Sequence, residues 1–151
     1  MRPSDSSFLG NDYSLFGSKG VTMRDISQGQ IGNCWWMASC IAVAEYPGRI
    51  EKVFLNRGKS SAGAYSLQLW ALNAPITITV DDTLPVTPST LKSGYTTMYA
   101  YIGDDNSIWG AVMEKAFAKF HGNYARIVGG DSVDGISTLN GSPYKRLWHF
   151  G

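Results

Sequence analysis

Cys34 is the residue in this chain best placed to do chemistry. It opens the run Cys34-Trp35-Trp36-Met37-Ala38-Ser39-Cys40-Ile41-Ala42-Val43-Ala44-Glu45-Tyr46, which has no Gly or Pro and is closed by Pro47-Gly48. That pattern predicts a central, buried helix whose first turn carries the thiol. The unpaired N–H groups and positive dipole end of a first turn stabilise a thiolate, the form in which cysteine attacks. Upstream lies Gln28-Gly29-Gln30-Ile31-Gly32-Asn33. Its two glycines let the backbone approach a bound peptide closely, and the Gln28 amide can join the Cys34 N–H in holding a developing oxyanion. The cluster reads as half of an acyl-transfer site. On spacing alone, an inert buried thiol is the commoner fate of a cysteine in an apolar helix. Cys40, about two turns deeper, is assigned to the core.

The elements that must position this cluster follow from periodicity. Residues 1–17 are expected to form an irregular arm and 18–151 a single domain. Tyr65-Ser66-Leu67-Gln68-Leu69 and Ile76-Thr77-Ile78-Thr79-Val80 alternate with period two around Asn73-Ala74-Pro75, which predicts an antiparallel hairpin. Thr83 to Ala100 is punctuated by Pro, Thr, Ser and Gly and reads mostly as loop. Trp109, Val112, Met113, Ala116, Phe117 and Phe120 recur at helical spacing, with Asp104 or Asp105 as the expected cap and His121-Gly122 as the stop. Beyond the glycine turn at Val128-Gly129-Gly130 the pattern is weak. Helix, hairpin and helix in that order make an α+β unit.

Composition removes several classes of function. Thirteen Lys and Arg balance twelve Asp and Glu, and no basic block occurs, so a nucleic-acid partner is not expected. No stretch approaches the roughly 18–20 apolar residues of a membrane span, and the first residues lack an apolar leader core. The expected setting is cytoplasmic. Two cysteines without a CxxC pair, and the distant His121 and His149, suggest neither a disulfide framework nor zinc.

The motif Gln28-Gly29-Gln30-Ile31-Gly32-Asn33-Cys34-Trp35 resembles the nucleophile segment of the calpain family of papain-like cysteine proteases. Val80-Asp81-Asp82-Thr83-Leu84-Pro85, the helix Trp109 to Lys119, Gly122-Asn123-Tyr124 and Val128-Gly129-Gly130 extend the resemblance in order over roughly residues 18 to 141, which one short pattern matching by chance would not do. The resemblance implies the nucleophile-bearing half of a papain-like core and peptide-bond hydrolysis of a protein or peptide substrate. It gives Cys34 as nucleophile and Gln28 as oxyanion donor, with Gly32, Trp35 and Gly130 facing substrate. It also implies a calcium ion held by Ser18 and Gly20 carbonyls and the Asp25 carboxylate. Ser107 stands where the family has Glu, which weakens such a site unless Asp104 or Asp105 reaches in; otherwise Asp25 caps a turn.

The same resemblance names what is missing. Family enzymes need a general-base His and an Asn that orients it, both on a following subdomain. The setting of His149, Leu147-Trp148-His149-Phe150-Gly151, does not match that His segment. The chain alone is therefore expected to be inactive until completed by a His/Asn-bearing partner segment. The alternative is a non-catalytic, calpain-like module that binds peptide or regulates a protease.

Overall fold

The computed structural model describes residues 1–90 and 94–144; His149 lies outside them. The apolar run forms α1, Cys34–Ala44. Trp36, Met37, Cys40 and Val43 point into the core, while Cys34, Ala38 and Ala42 share an exposed face, as the i, i+4, i+8 spacing of a helix requires. So α1 is buried along one side only, not all round. A five-residue helix, α2, follows at Arg49–Val53.

Strands β1, Ala64–Ala71, and β2, Ala74–Asp81, pair antiparallel with Tyr65 opposite Val80, Leu67 opposite Ile78 and Leu69 opposite Ile76. This is the hairpin read from alternation, with Tyr65, Leu67 and Leu69 fully buried. Its turn is Leu72-Asn73, one residue earlier than expected; both residues have positive φ, 49° and 63°, the backbone of a two-residue type I′ connection. The segment read as loop contains a second small sheet, β3 (Val86–Pro88) against β4 (Tyr95–Thr97).

Helix α3 spans Trp109–His121, and its cap differs from the expectation. No side chain caps it; instead Ile108 N–H donates to Ser14 C=O and Trp109 N–H to Leu15 C=O, both at 3.0 Å. Thus the N-terminal segment satisfies two of the backbone donors at the start of this helix, and Tyr13 and Leu15 are buried with the core. Asp105 is engaged elsewhere, accepting from Ser18 N–H at 2.9 Å. His121 packs edge-on against Phe117 and Phe120, and burial lowers its pKa. It is an exposed residue in the last turn of α3 whose ring rests on these two phenyl groups.

A 3₁₀ turn at Tyr124–Ile127 leads to α4, Ser132–Asn140, where the sequence pattern had been weak. The Asp131 carboxylate caps α4 through Val133 N–H, and Gly141 in the left-handed region ends it. Gly135 lets α4 lie on α1: a Cβ there would overlap the Ser39 hydroxyl. Helices α1 and α3 meet through Trp36 stacked on Phe117, rings parallel within 4°. The α1–α3 contact and the β1 face build one α+β core, and the N-terminus of α1 opens at its edge.

Candidate active site

The loop before α1 is threaded between two neighbours. Gln30 N–H donates to Met98 C=O, and Tyr101 N–H donates to Ser27 C=O, each at 3.0 Å. Gly29 lies so close to the segment after β4 that a Cβ would overlap the Tyr99 carbonyl, so glycine is required there. On the other side Gly129 N–H donates to Gly32 C=O at 2.9 Å, which joins the nucleophile loop to the glycine turn at 128–130.

Cys34 is exposed at the first helical position, and Cys40 is fully buried with its thiol pushed up by desolvation and, second, by the Glu114 charge. The two cysteines therefore sit in opposite environments, and Cys40 lies in the core as expected. Gln28 is exposed, and its side-chain amide donates to Ile31 C=O within the same loop. An amide carries two N–H donors, so this bond fixes the side chain and leaves one donor. Trp35 is half-buried, anchored by Nε1–H to Ile127 C=O at 3.0 Å. Its indole fills the space a Cβ on Gly130 would need. The α1 start and the turn at 128–130 are thus joined through Gly32–Gly129 and Trp35–Gly130, with Gln28 and Cys34 exposed on the loop and helix start beside them.

Two residues of this region escaped the sequence reading. Asn33, the N-cap residue of α1, makes no side-chain cap; its Nδ2 donates to Glu114 Oε1 at 2.6 Å. The other Glu114 oxygen accepts from Ala100 N–H at 2.8 Å. Glu114 is 1% exposed, and its pKa is raised by burial, with the Ala100 and Asn33 bonds acting against that rise. The available signal was a lone carboxylate at a core-facing position of α3, beside Met113 and Phe117, since such groups are buried only when paired.

A profile of calpain family cysteine proteases matches residues 1–149. The chain belongs to the calpain family. Calpain-5 of Mus musculus is 30% identical over 149 residues, covering 93% of this chain and 22% of the mouse protein. The Calpain-1 catalytic subunit of Homo sapiens is 30% identical over 126 residues, 81% of this chain and 17% of the human protein. A calpain-type cysteine protease of Zea mays is 30% identical over 152 residues, covering 97% of this chain and 7% of the plant protein. The chain spans less than a quarter of the length of these relatives. The α+β arrangement agrees with the calpain half-core that the resemblance implied, and no helix among the described residues is long and apolar enough to cross a membrane.

In this calpain-family chain the one carboxylate assigned to calcium, Asp25, is engaged by protein donors. Asp25 is buried; its Oδ2 accepts from Thr22 N–H at 2.6 Å and Trp109 Nε1–H at 3.3 Å, and its Oδ1 from the Thr22 hydroxyl at 2.8 Å. Ser18 offers its N–H to Asp105. The Ser107 hydroxyl is buried against Gly103, with a Cβ on that glycine overlapping it, so a longer carboxylate side chain at 107 has no room without moving the 103–107 turn. Among the described residues no three His, Cys, Asp or Glu side chains converge as metal ligands. Calcium takes six to eight oxygens around one point; here both Asp25 oxygens accept hydrogen bonds from Thr22 and Trp109, while Asp105 Oδ1 and the Ser107 hydroxyl are buried without a hydrogen-bond partner among the described residues.

Proposed function

We propose that this chain is the nucleophile-bearing half of a calpain-type cysteine endopeptidase and acts on protein or peptide substrates once a His/Asn-bearing segment completes it. The observation that carries the reading is the exposed Cys34 at an uncapped helix start, beside the loop of Gln28 and Gly32 and the turn of Gly130. The Cys34 thiolate attacks the peptide carbonyl carbon; a C–S bond forms and the carbonyl pair moves onto oxygen. The Cys34 N–H and the remaining Gln28 donor face that oxyanion. As the C–N bond breaks, the proton taken from the thiol passes through the partner segment's imidazole to the leaving amine, and water then hydrolyses the thioester. Trp35 and Gly130 shape the surface along which the substrate backbone lies.

The test is cleavage of casein by this chain fused to the segment that follows the matched region in mouse Calpain-5. Cleavage that depends on the added segment and falls to background in Cys34→Ala is the expected result. Peptide binding retained in Cys34→Ala, with no cleavage by the fusion, would overturn the reading and leave a peptide-binding module.

A further inference from the structure

We propose that Glu114 is a positioning residue that withholds the Asn33 side chain from capping α1, so that the Cys34 and Trp35 N–H groups of the first turn stay open to an anion. The inference rests on the protease reading of Cys34. An Asn at an N-cap ordinarily turns its side-chain oxygen onto the N2 or N3 amide and covers the helix end; here the N3 amide, Trp36, already donates to the Asn33 backbone carbonyl at 2.9 Å, which leaves Trp35. Asn33 does not turn to it. Its side chain is fully buried on the opposite course, 2.6 Å from Glu114. Its backbone, φ −111° and ψ 31°, departs from the extended conformation of capping residues.

Two further features fit this assignment. The Asn33 Oδ1 atom is buried with no hydrogen-bond partner, so the side-chain oxygen that could cap the helix is held away from it at the cost of an unsatisfied buried acceptor. Glu114 is also the single group that joins Asn33 to Ala100, next to the Met98 and Tyr101 contacts that hold the Gln28 loop. One carboxylate thereby sets both sides of the proposed oxyanion frame.

The experiment is the rate of Cys34 alkylation by iodoacetamide between pH 6 and 9 in the 151-residue chain, with folding followed by circular dichroism. Cys40 is fully buried and is silent while the chain is folded. Glu114→Ala frees Asn33 to cap, and the neutral-pH rate is expected to fall about fivefold, the size of a helix-end charge interaction. Asn33→Ala cannot cap and stays within about twofold of wild type. The double variant follows Asn33→Ala, not Glu114→Ala. A merely structural Glu114 would lower stability without this rescue. An unchanged rate in Glu114→Ala, a double variant as slow as Glu114→Ala, or a comparable loss in Asn33→Ala alone would overturn the proposal. If Glu114→Ala does not fold, Asn33→Ala decides. The protease reading fails separately, in the casein assay, where Cys34→Ala would make no difference.

Discussion

The Asn33 amide and the Glu114 carboxylate meet at 2.6 Å across 81 positions of sequence, both inside the core. Because burial raises the Glu114 pKa, the native state holds that proton to higher pH than the unfolded chain does. The sign follows: native protonation exceeds unfolded protonation above the ordinary value of 4.5, so stability falls as pH rises through the native pKa. Glu114→Gln removes this slope. Its carbonyl can accept from Ala100 while its NH₂ donates to Asn33 Oδ1 after the Asn amide turns over. Urea denaturation at pH 4, 5, 6 and 7 should show wild type losing stability relative to Glu114→Gln as pH increases. Parallel curves would count against a buried, raised carboxyl.

The two loop glycines separate packing from access. A Cβ on Gly29 overlaps the Tyr99 carbonyl, whereas one on Gly32 meets only Val128 at an ordinary 3.6 Å. Gly29→Ala is expected to destabilise the chain by about 2–3 kcal/mol, the upper range of overpacking. Gly32→Ala should change stability by less than about 0.5 kcal/mol, the usual range for surface sites, but should slow casein cleavage by the completed enzyme. Equal midpoints in chemical denaturation for the two variants would contradict the assignment.

Periodicity made α1, α3 and the β1–β2 hairpin legible, because each buries a regular stripe: Trp36, Cys40 and Val43, then Val112, Ala116 and Phe117, then Tyr65, Leu67 and Leu69. What escaped it depends on contacts distant in sequence. The cap of α3 comes from Ser14 and Leu15 carbonyls, which no side-chain signal encodes. The β3–β4 sheet is held by three-residue strands, too short to show alternation. Helix α4 carries Gly135 in its interior, unfavourable for a helix by about 1 kcal/mol, because Ser39 of α1 occupies the space of a side chain. In the candidate site, the motif points to Cys34 and Gln28, while Glu114 needed the fold to bring it to Asn33.

Calcium should be a weak ligand of this chain. Asp25 already accepts three hydrogen bonds from Thr22 and Trp109, so binding would have to displace or share them. A site with a Kd of 10 μM would add about 2.7 kcal/mol at 1 mM calcium, a hundredfold excess. The expected difference in melting temperature between 1 mM calcium chloride and EDTA is less than about 1 °C, well below the shift that such a gain implies for a domain of this size. A rise of several degrees would show that the loop opens to take the ion.

Lys115 closes the edge of the hairpin onto α3. Its Nζ donates to the Asp81 carboxylate at 2.9 Å, the Asp81 carbonyl at 3.1 Å and the Thr83 carbonyl at 2.6 Å. Lys119, one turn on, donates to the Thr79 carbonyl at 2.7 Å. These bonds cap β2 and the segment that leads on toward β3, so the lysines act as edge covers as well as charges. Asp81 is held well below the usual carboxylate range, first by its Lys115 bond. A lowered native pKa means stability that is present above the ordinary value of 3.8 and lost as pH falls below it. The Asp81 side chain is 58% exposed, so solvent screening limits the ion pair itself to under about 1 kcal/mol. Lys115→Met keeps the stem and removes all three bonds; the expected loss is about 1–2 kcal/mol at pH 7, most of it from the two carbonyls. Denaturation in 0.1 M and 1 M salt should remove only the smaller, ionic share. A Lys115→Met variant whose whole deficit vanished in high salt would show that the carbonyl bonds contribute nothing.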